Sequence, residues 1–238
     1  LLPGGMTDLD NKIFANFTKP LSFQGDIFLF LYLLVLSRFL TVLGALDTGS
    51  SFEGMGASRE VQFAVYCEPA FILGLAALCV LHESISLSSI FSPMKSYHGE
   101  SLLPFVILVA SAFFIISLVE NYRVPFDDPN THLELTMIHE VMVLDYSGPE
   151  LGIIFYASSI KFYIFASIVV QTIISVLSLS PLAHVITFFI GLLVYSVAVG
   201  IVESTSARLR LLKIPQILTG AGAVSFLALV IAIMRILK

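Results

Sequence analysis

Three ionisable residues stand inside long apolar runs: Arg38 within 26–46, Glu68 within 62–82 and Lys161 within 151–178. A charge at the centre of a membrane helix costs a few kcal/mol even on insertion scales, so each needs a partner or a water-filled path. Pro69 follows Glu68; proline removes a backbone donor and disturbs the preceding turn, exposing carbonyls near the carboxylate. Glu60 lies eight residues before Glu68, so on a straight helix the two carboxylates step inward by about 12 Å. A carboxylate ladder from a surface loop into an apolar layer is what a proton route needs. The competing account is structural: Lys and Arg snorkel to the interface, or the charges simply pair.

A second concentration of chemistry lies in 121–150. Glu120-Asn-Tyr-Arg-Val-Pro-Phe-Asp-Asp-Pro-Asn130 leaves an apolar run and turns twice at prolines. Thr131 to Tyr146 then reads as an amphipathic helix, opened by Asp127, Asp128 or Asn130 as its cap. Leu133, Met137, Val141 and Leu144 share one face, with His132, Thr136 and His139 opposite. Glu134 and Asp145 fall within the broad apolar arc and Glu140 at its edge. An ordinary interfacial helix keeps its carboxylates on the wet face. Acids placed otherwise are candidates for proton exchange, although packing on a polar partner, or a break near His139, gives the same pattern.

Other motifs carry less. His132, Glu134, His139 and Glu140 do not form His-Glu-x-x-His, which argues against zinc. Cys67 and Cys79 lie twelve apart on one apolar run, without partners at metal or cluster spacing, and read as small apolar groups. No iron–sulfur centre is expected on this chain. The Gly-rich run from Asp47 to Glu60 has no phosphate-loop pattern. Ser58 reads as the N-cap of the helix that follows, with Glu60 in its first turn, where the helix dipole favours a carboxylate.

The elements that must position these groups follow from composition. Hydrophobic residues make up 57% of the 238-residue chain and charged ones 12%, against about 25% charged in soluble domains. Six windows reach the roughly 20 apolar residues that span a bilayer: 26–46, 62–82, 101–120, 151–178, 184–203 and 215–236. Backbone polar groups must be satisfied within lipid, and no alternating pattern fits a barrel. The expected fold is all-α: one transmembrane domain over 1–238 with about six spanning helices. Connections 47–61, 121–150 and 204–214 then share one side, and eleven of the 17 acidic residues lie there or at adjoining helix ends. Lys and Arg divide five against five between the two sides, so the positive-inside rule decides nothing. The tight charged loops favour a cytoplasmic placing of the acidic side. No nucleic-acid partner is expected. The chain opens at Leu1 without a basic stretch and cleavage site, so it reads not as a signal peptide but as continuing an earlier apolar segment.

Two motifs now carry a resemblance. Asp47-Thr-Gly-Ser-Ser-Phe-Glu-Gly-Met-Gly-Ala-Ser-Arg-Glu60, with Glu68-Pro69, resembles the membrane-anchor subunit of group 4 nickel–iron hydrogenases, of the formate hydrogenlyase and hydrogenase-4 type. Glu120-x-x-Arg-x-Pro-Phe-Asp127, Glu134-Leu135 and Asp145-Tyr-Ser-Gly148 look like the same family, and are similar to the quinone-site membrane subunit of respiratory complex I. Glu203-Ser-Thr-Ser-Ala-Arg-Leu-Arg210 matches the family's late helix end and loop. The match runs from about residue 26 to the C-terminus. It implies an eight-helix fold of which these six are the third to the eighth. The family's early basic loop with Arg-Arg-Gly-Pro is not found. The chain also departs from the usual Glu-Tyr-Ser-Gly at Asp145, and carries a longer stretch from Asp128 to Glu140 with two histidines.

The resemblance implies a prokaryotic cytoplasmic membrane subunit, itself non-catalytic. It would dock a peripheral electron-transfer arm onto antiporter-like membrane subunits and couple redox chemistry to proton or sodium translocation. The coupling role would pass to Glu60, Glu68, Glu120, Asp127, Glu134, Asp145 and Glu203. Glu140 joins them from its place on the connection, with Arg38, Arg59, Arg123 and Lys161 as charge partners. Iron–sulfur clusters and a nickel–iron centre would belong to partner subunits, and a quinone to complex I-like members. Two alternatives differ in kind: a secondary transporter using Glu68 and Lys161, and a structural anchor whose charges only pair.

Overall fold

The computed structural model of the chain describes residues 23–92, 102–127, 138–177, 179–207, 209 and 213–237. In chain order its helices are α1 (Asp26–Asp47), α2 (Ser51–His82), α3 (Leu87–Ile90), α4 (Leu103–Glu120), α5 (His139–Met142), α6 (Gly148–Ile174), α7 (Pro181–Thr205) and α8 (Ile214–Ile236). Six of them are long and apolar enough to cross a membrane. Each of the six expected windows coincides with one of these helices, although α6 ends at Ile174 and α4 begins at Leu103, inside the expected bounds 151–178 and 101–120; no strand occurs among the described residues.

The 32-residue α2 is the hub. It packs on α1, α4, α5 and most extensively on α8, while α4 also touches α6 and α8, and α7 leans on α6. Phe71 of α2 joins these layers, its ring centroid 5.3 Å from Phe113 of α4 and 5.4 Å from Phe165 of α6. Such tilted aromatic contacts add to the burial of large apolar surface. Beside them a Cβ at Gly74 would lie 2.4 Å from the Phe113 ring, so the approach of α4 to α2 depends on glycine. In contrast, α1 and α7 expose large side chains such as Phe28, Phe39, Leu182 and Leu193. Their outer faces suit lipid or neighbouring helices.

Two local expectations change. First, α2 begins at Ser51, not after Ser58, so much of the Gly-rich run is helix and Glu60 lies in its third turn. The Ser58 hydroxyl bonds back to the Met55 carbonyl instead of capping. Glycine costs a helix about 1 kcal/mol relative to alanine, and tertiary packing offsets it. A Cβ at Gly56 would stand 3.0 Å from both the Ile138 carbonyl and the Met142 side chain. Here the small residue lets α5 sit on α2.

Second, the helix expected from Thr131 to Tyr146 does not run to Tyr146. Residues 128–137 lie outside the described residues. The described part is a single helical turn, His139–Met142, followed by turns. Ser147 is extended, Gly148 takes φ +59° and Pro149 opens α6, and that sequence of conformations cannot continue a helix. The expected cap of a helix opening at Thr131 falls outside the described residues; Asp127 instead accepts the Ile138 and His139 N–H groups, both at 3.1 Å, and so ties down the start of this later turn.

Candidate functional site

The Arg38 side chain turns inward from the largely exposed α1 and is only 12% exposed. Its Nε donates to Glu60 at 2.9 Å, and its two terminal nitrogens donate to Glu68 and Glu120. The second Glu120 oxygen takes the Lys161 ammonium at 2.9 Å. One guanidinium thus joins three carboxylates, and α1, α2, α4 and α6 meet on it. The planar fork of five N–H donors suits this arrangement, which a lysine could not reproduce. The expectation of a ladder is sharpened: Glu60 and Glu68 converge on one cation instead of forming separate steps. Arg38 and Lys161 are paired within the bundle, which is more specific than snorkelling.

Pro69 leaves the Val65 carbonyl without its usual helical donor while α2 continues, the local perturbation expected beside Glu68. Burial differs across the cluster: Glu60 and Glu120 side chains are 7% and 8% exposed, and Glu68 is 35% exposed. Glu68 is therefore the acid most open to the surroundings of the isolated chain.

Tyr122 is a member that the sequence reading missed. Its hydroxyl donates to Glu60 at 3.1 Å. Its ring stacks on His139, with centroids 4.4 Å apart and planes 8° apart, and Lys161 Nζ lies 5.2 Å from the Tyr122 centroid. Burial, reinforced by Glu60 and Glu120, pushes the Tyr122 hydroxyl well above its ordinary range, so it remains a donor. Burial, then the nearby Lys161, pushes His139 down to about 4. Neutral His139 has both ring nitrogens buried and without hydrogen-bond partners. The signal for Tyr122 was its position between Glu120 and Arg123 in an otherwise recognised motif.

The segment carrying His139 is tied to the bundle by carboxylates. Asp127 holds its start, and Glu53 of α2, fully buried, accepts the Asp145 N–H at 3.1 Å. Glu53 is a second residue whose importance the sequence did not reveal. Asp145 itself is exposed, contrary to its expected place in an apolar arc, because the helix stops before it. Glu140 is half-buried on α5. Arg123 pairs with Glu203 at 3.3 Å and lies over the Phe162 ring, separate from the main cluster. Half-buried Arg59 reaches the Met55 sulfur, and Glu134 lies outside the described residues. Cys67 is buried and Cys79 half-buried, both as free thiols.

Beside the cluster a cavity of about 470 Å³ opens between α1, the 138–146 segment and α6. Arg38, Tyr122, His139, Tyr146, Glu150 and Lys161 contribute to its wall. Tyr146 seats against Gly44, where a Cβ would fall 2.8 Å from its hydroxyl. The arrangement can hold charge, exchange a proton among neighbouring carboxylates and admit water or a flat molecule.

Replacing Arg38 by Met leaves three carboxylates facing one lysine. Breaking such a group costs about 3–5 kcal/mol, so the purified protein should melt at markedly lower temperature, with partial recovery when Glu60→Gln is added. Arg38→Lys should also destabilise, and a melting temperature equal to wild type would show that the fork is unnecessary. The depressed His139 also makes docking of 138–146 pH-dependent. The undocked imidazole binds a proton below its ordinary 6.5, whereas the docked one resists until about 4. Docking therefore weakens as pH falls through that window. The protection factors of amides across 138–146, which correct for the slower intrinsic exchange at lower pH, should fall as pH drops between those values in wild type, with that component absent from His139→Phe.

Comparison with known proteins agrees with this architecture. A family model described as NADH dehydrogenase matches residues 5–234. The chain is 30% identical over 224 residues to formate hydrogenlyase subunit 4 of Escherichia coli (strain K12), covering 89% of this chain and 70% of that protein. It is 32% identical over 206 residues to hydrogenase-4 component C of the same organism, covering 84% of this chain and 64% of the relative. With a family match over nearly its whole length and a bundle of six membrane-spanning-capable helices, the chain belongs to the NADH dehydrogenase family.

Proposed function

We propose that this membrane subunit couples electron transfer in a peripheral redox arm to proton movement, with the Arg38 cluster as its buried proton-exchanging element. The observation that carries this reading is a charge imbalance. Arg38 and Lys161 face Glu60, Glu68 and Glu120, so five ionised groups leave one negative charge. Net charge is costly in a low-dielectric interior, and one added proton neutralises the group. A change of charge at the nearby connection would then move a proton into or out of the cluster. Sodium could replace the proton as the translocated ion without altering this charge logic.

The acidic connection 121–150 would face the peripheral arm on the cytoplasmic side, with Asp127, Glu134, Glu140 and Asp145 meeting it. Support comes from the concentration of acids there and from the hydrogenase names of the similar proteins. Partner subunits would supply iron–sulfur clusters and, in a hydrogenase-type assembly, a nickel–iron centre. The exposed apolar faces of α1 and α7 would receive antiporter-like membrane subunits or lipid.

A second reading of the acceptor rests on the cavity. Its volume and the unpartnered nitrogens of neutral His139 beside Tyr122 fit a flat quinone-type ring. A quinone would accept electrons from the partner's clusters, while His139 N–H would donate to a ring carbonyl and Met142 and Ile153 would cover apolar surface. Quinone remaining with the purified complex, and lost on His139→Leu, would favour this acceptor; its absence from both would favour hydrogenase-type chemistry.

The coupling role has a direct test. Glu68→Gln keeps size and hydrogen bonding but removes the most open carboxylate of the cluster. In proteoliposomes holding the complete complex it should abolish proton translocation while peripheral redox turnover stays measurable. Full translocation in that variant would defeat the relay and leave a structural anchor.

A further inference from the structure

The buried cluster and the 138–146 segment meet at one side chain. Tyr122 follows the last turn of α4 with φ +53°, a left-handed conformation uncommon for a bulky residue. That backbone turn aims the ring between two parts of the fold. Its hydroxyl donates to Glu60, and its ring lies parallel to His139 at 4.4 Å. His139 makes no hydrogen bond through either nitrogen. Its contact with Tyr122 is therefore one of shape and stacking.

We propose that Tyr122 is the positioning residue through which the 138–146 segment acts on the buried cluster: His139 stacking holds the Tyr122 hydroxyl on Glu60, and displacement of the segment withdraws that donor. The inference rests on the coupling role of the cluster and adds the element that would control it. Besides its buried apolar side chains, three directed contacts hold the segment: Asp127 on the Ile138 and His139 N–H groups, Glu53 on the Asp145 N–H, and His139 on the Tyr122 ring. The last leads directly to a member of the cluster, because the Tyr122 hydroxyl bonds Glu60. The groups facing Tyr122 are Glu60 from α2, Glu120 from α4, Arg38 from α1, Lys161 from α6 and His139 from α5. Withdrawal of the hydroxyl leaves Arg38 as the donor to that Glu60 oxygen, since both presently bond Glu60 Oε1. A bond to an ionised group is stronger than a neutral one, so a small movement of the segment has leverage on where the cluster's proton resides. No covalent or redox step is required.

The stacked pair predicts a specific pattern among variants, because Tyr122→Phe keeps the ring and loses the hydroxyl. His139→Phe keeps the stack and loses the nitrogens, and His139→Ala loses the stack. In proteoliposomes of the complete complex, Tyr122→Phe and His139→Ala should each slow coupled proton movement about tenfold, the factor set by one hydrogen bond to an ionised group. The double variant should be no slower than either single one, and His139→Phe, which keeps the stack, should be clearly less impaired than His139→Ala. Co-purification of the peripheral subunits checks assembly, and both phenylalanine variants keep an aromatic ring in place. Wild-type coupling in Tyr122→Phe, equal damage by His139→Phe and His139→Ala, or additive losses in the double variant would each overturn the inference. Loss of coupling in Glu68→Gln alongside an unaffected Tyr122→Phe overturns only this proposal, whereas full coupling in Glu68→Gln overturns the cluster role as well.

Discussion

A guanidinium carried into an apolar layer must find carboxylates, and side chains from four helices are arranged around that requirement. Arg38 enters from α1, takes Glu60 and Glu68 from α2 and Glu120 from α4, while Lys161 from α6 closes the group. Apolar packing brings the helices together without a unique register, because lipid is as apolar as the side chains it replaces. The ionic group supplies directionality. Buried ion groups are weak evidence for net stability, since desolvation opposes the Coulomb gain, but removing one partner is severe. Here the surplus carboxylate argues that the group is kept for its charge state.

Around this centre the fold separates rigid and adjustable parts. The Phe71–Phe113–Phe165 contacts and the glycine approach at Gly74 hold α2, α4 and α6 as one packed unit. The segment from Ile138 to Tyr146 is short, has one helical turn, and is fastened by a few directed bonds. Ile138, Val141, Met142 and Val143 also bury their side chains against the bundle, so apolar contact helps to dock the segment. Tyr122 links it to the charged cluster.

The sequence made the bundle legible because six apolar runs leave little choice of structure in lipid, and isolated Arg38, Glu68 and Lys161 marked its interior chemistry. It also identified Glu120 through the Glu-x-x-Arg-x-Pro-Phe-Asp motif. What it could not supply was convergence: eight residues between Glu60 and Glu68 imply separation along a helix, whereas a long side chain from α1 spans both. The start of α2 was misplaced because Gly54 and Gly56 read as loop, although packing against α5 is what requires Gly56. Asp145 was placed on an apolar arc by extending helical periodicity past the point where Ser147, Gly148 and Pro149 end it. Tyr122 and Glu53 went unnoticed since an aromatic near a helix end, and an acid in a glycine-rich run, have no periodic signature.

On the proposed coupling role, the Arg38 cluster holds a proton whose position follows the redox state of the complex. Infrared difference spectroscopy of the complete complex, reduced minus oxidised, with isotope-labelled glutamate reads that proton directly. The expected result is a glutamic acid carboxyl band that changes with redox state and disappears or moves in Glu60→Gln and Glu68→Gln. A redox difference without any carboxyl change, or one unaltered by both substitutions, would contradict the account.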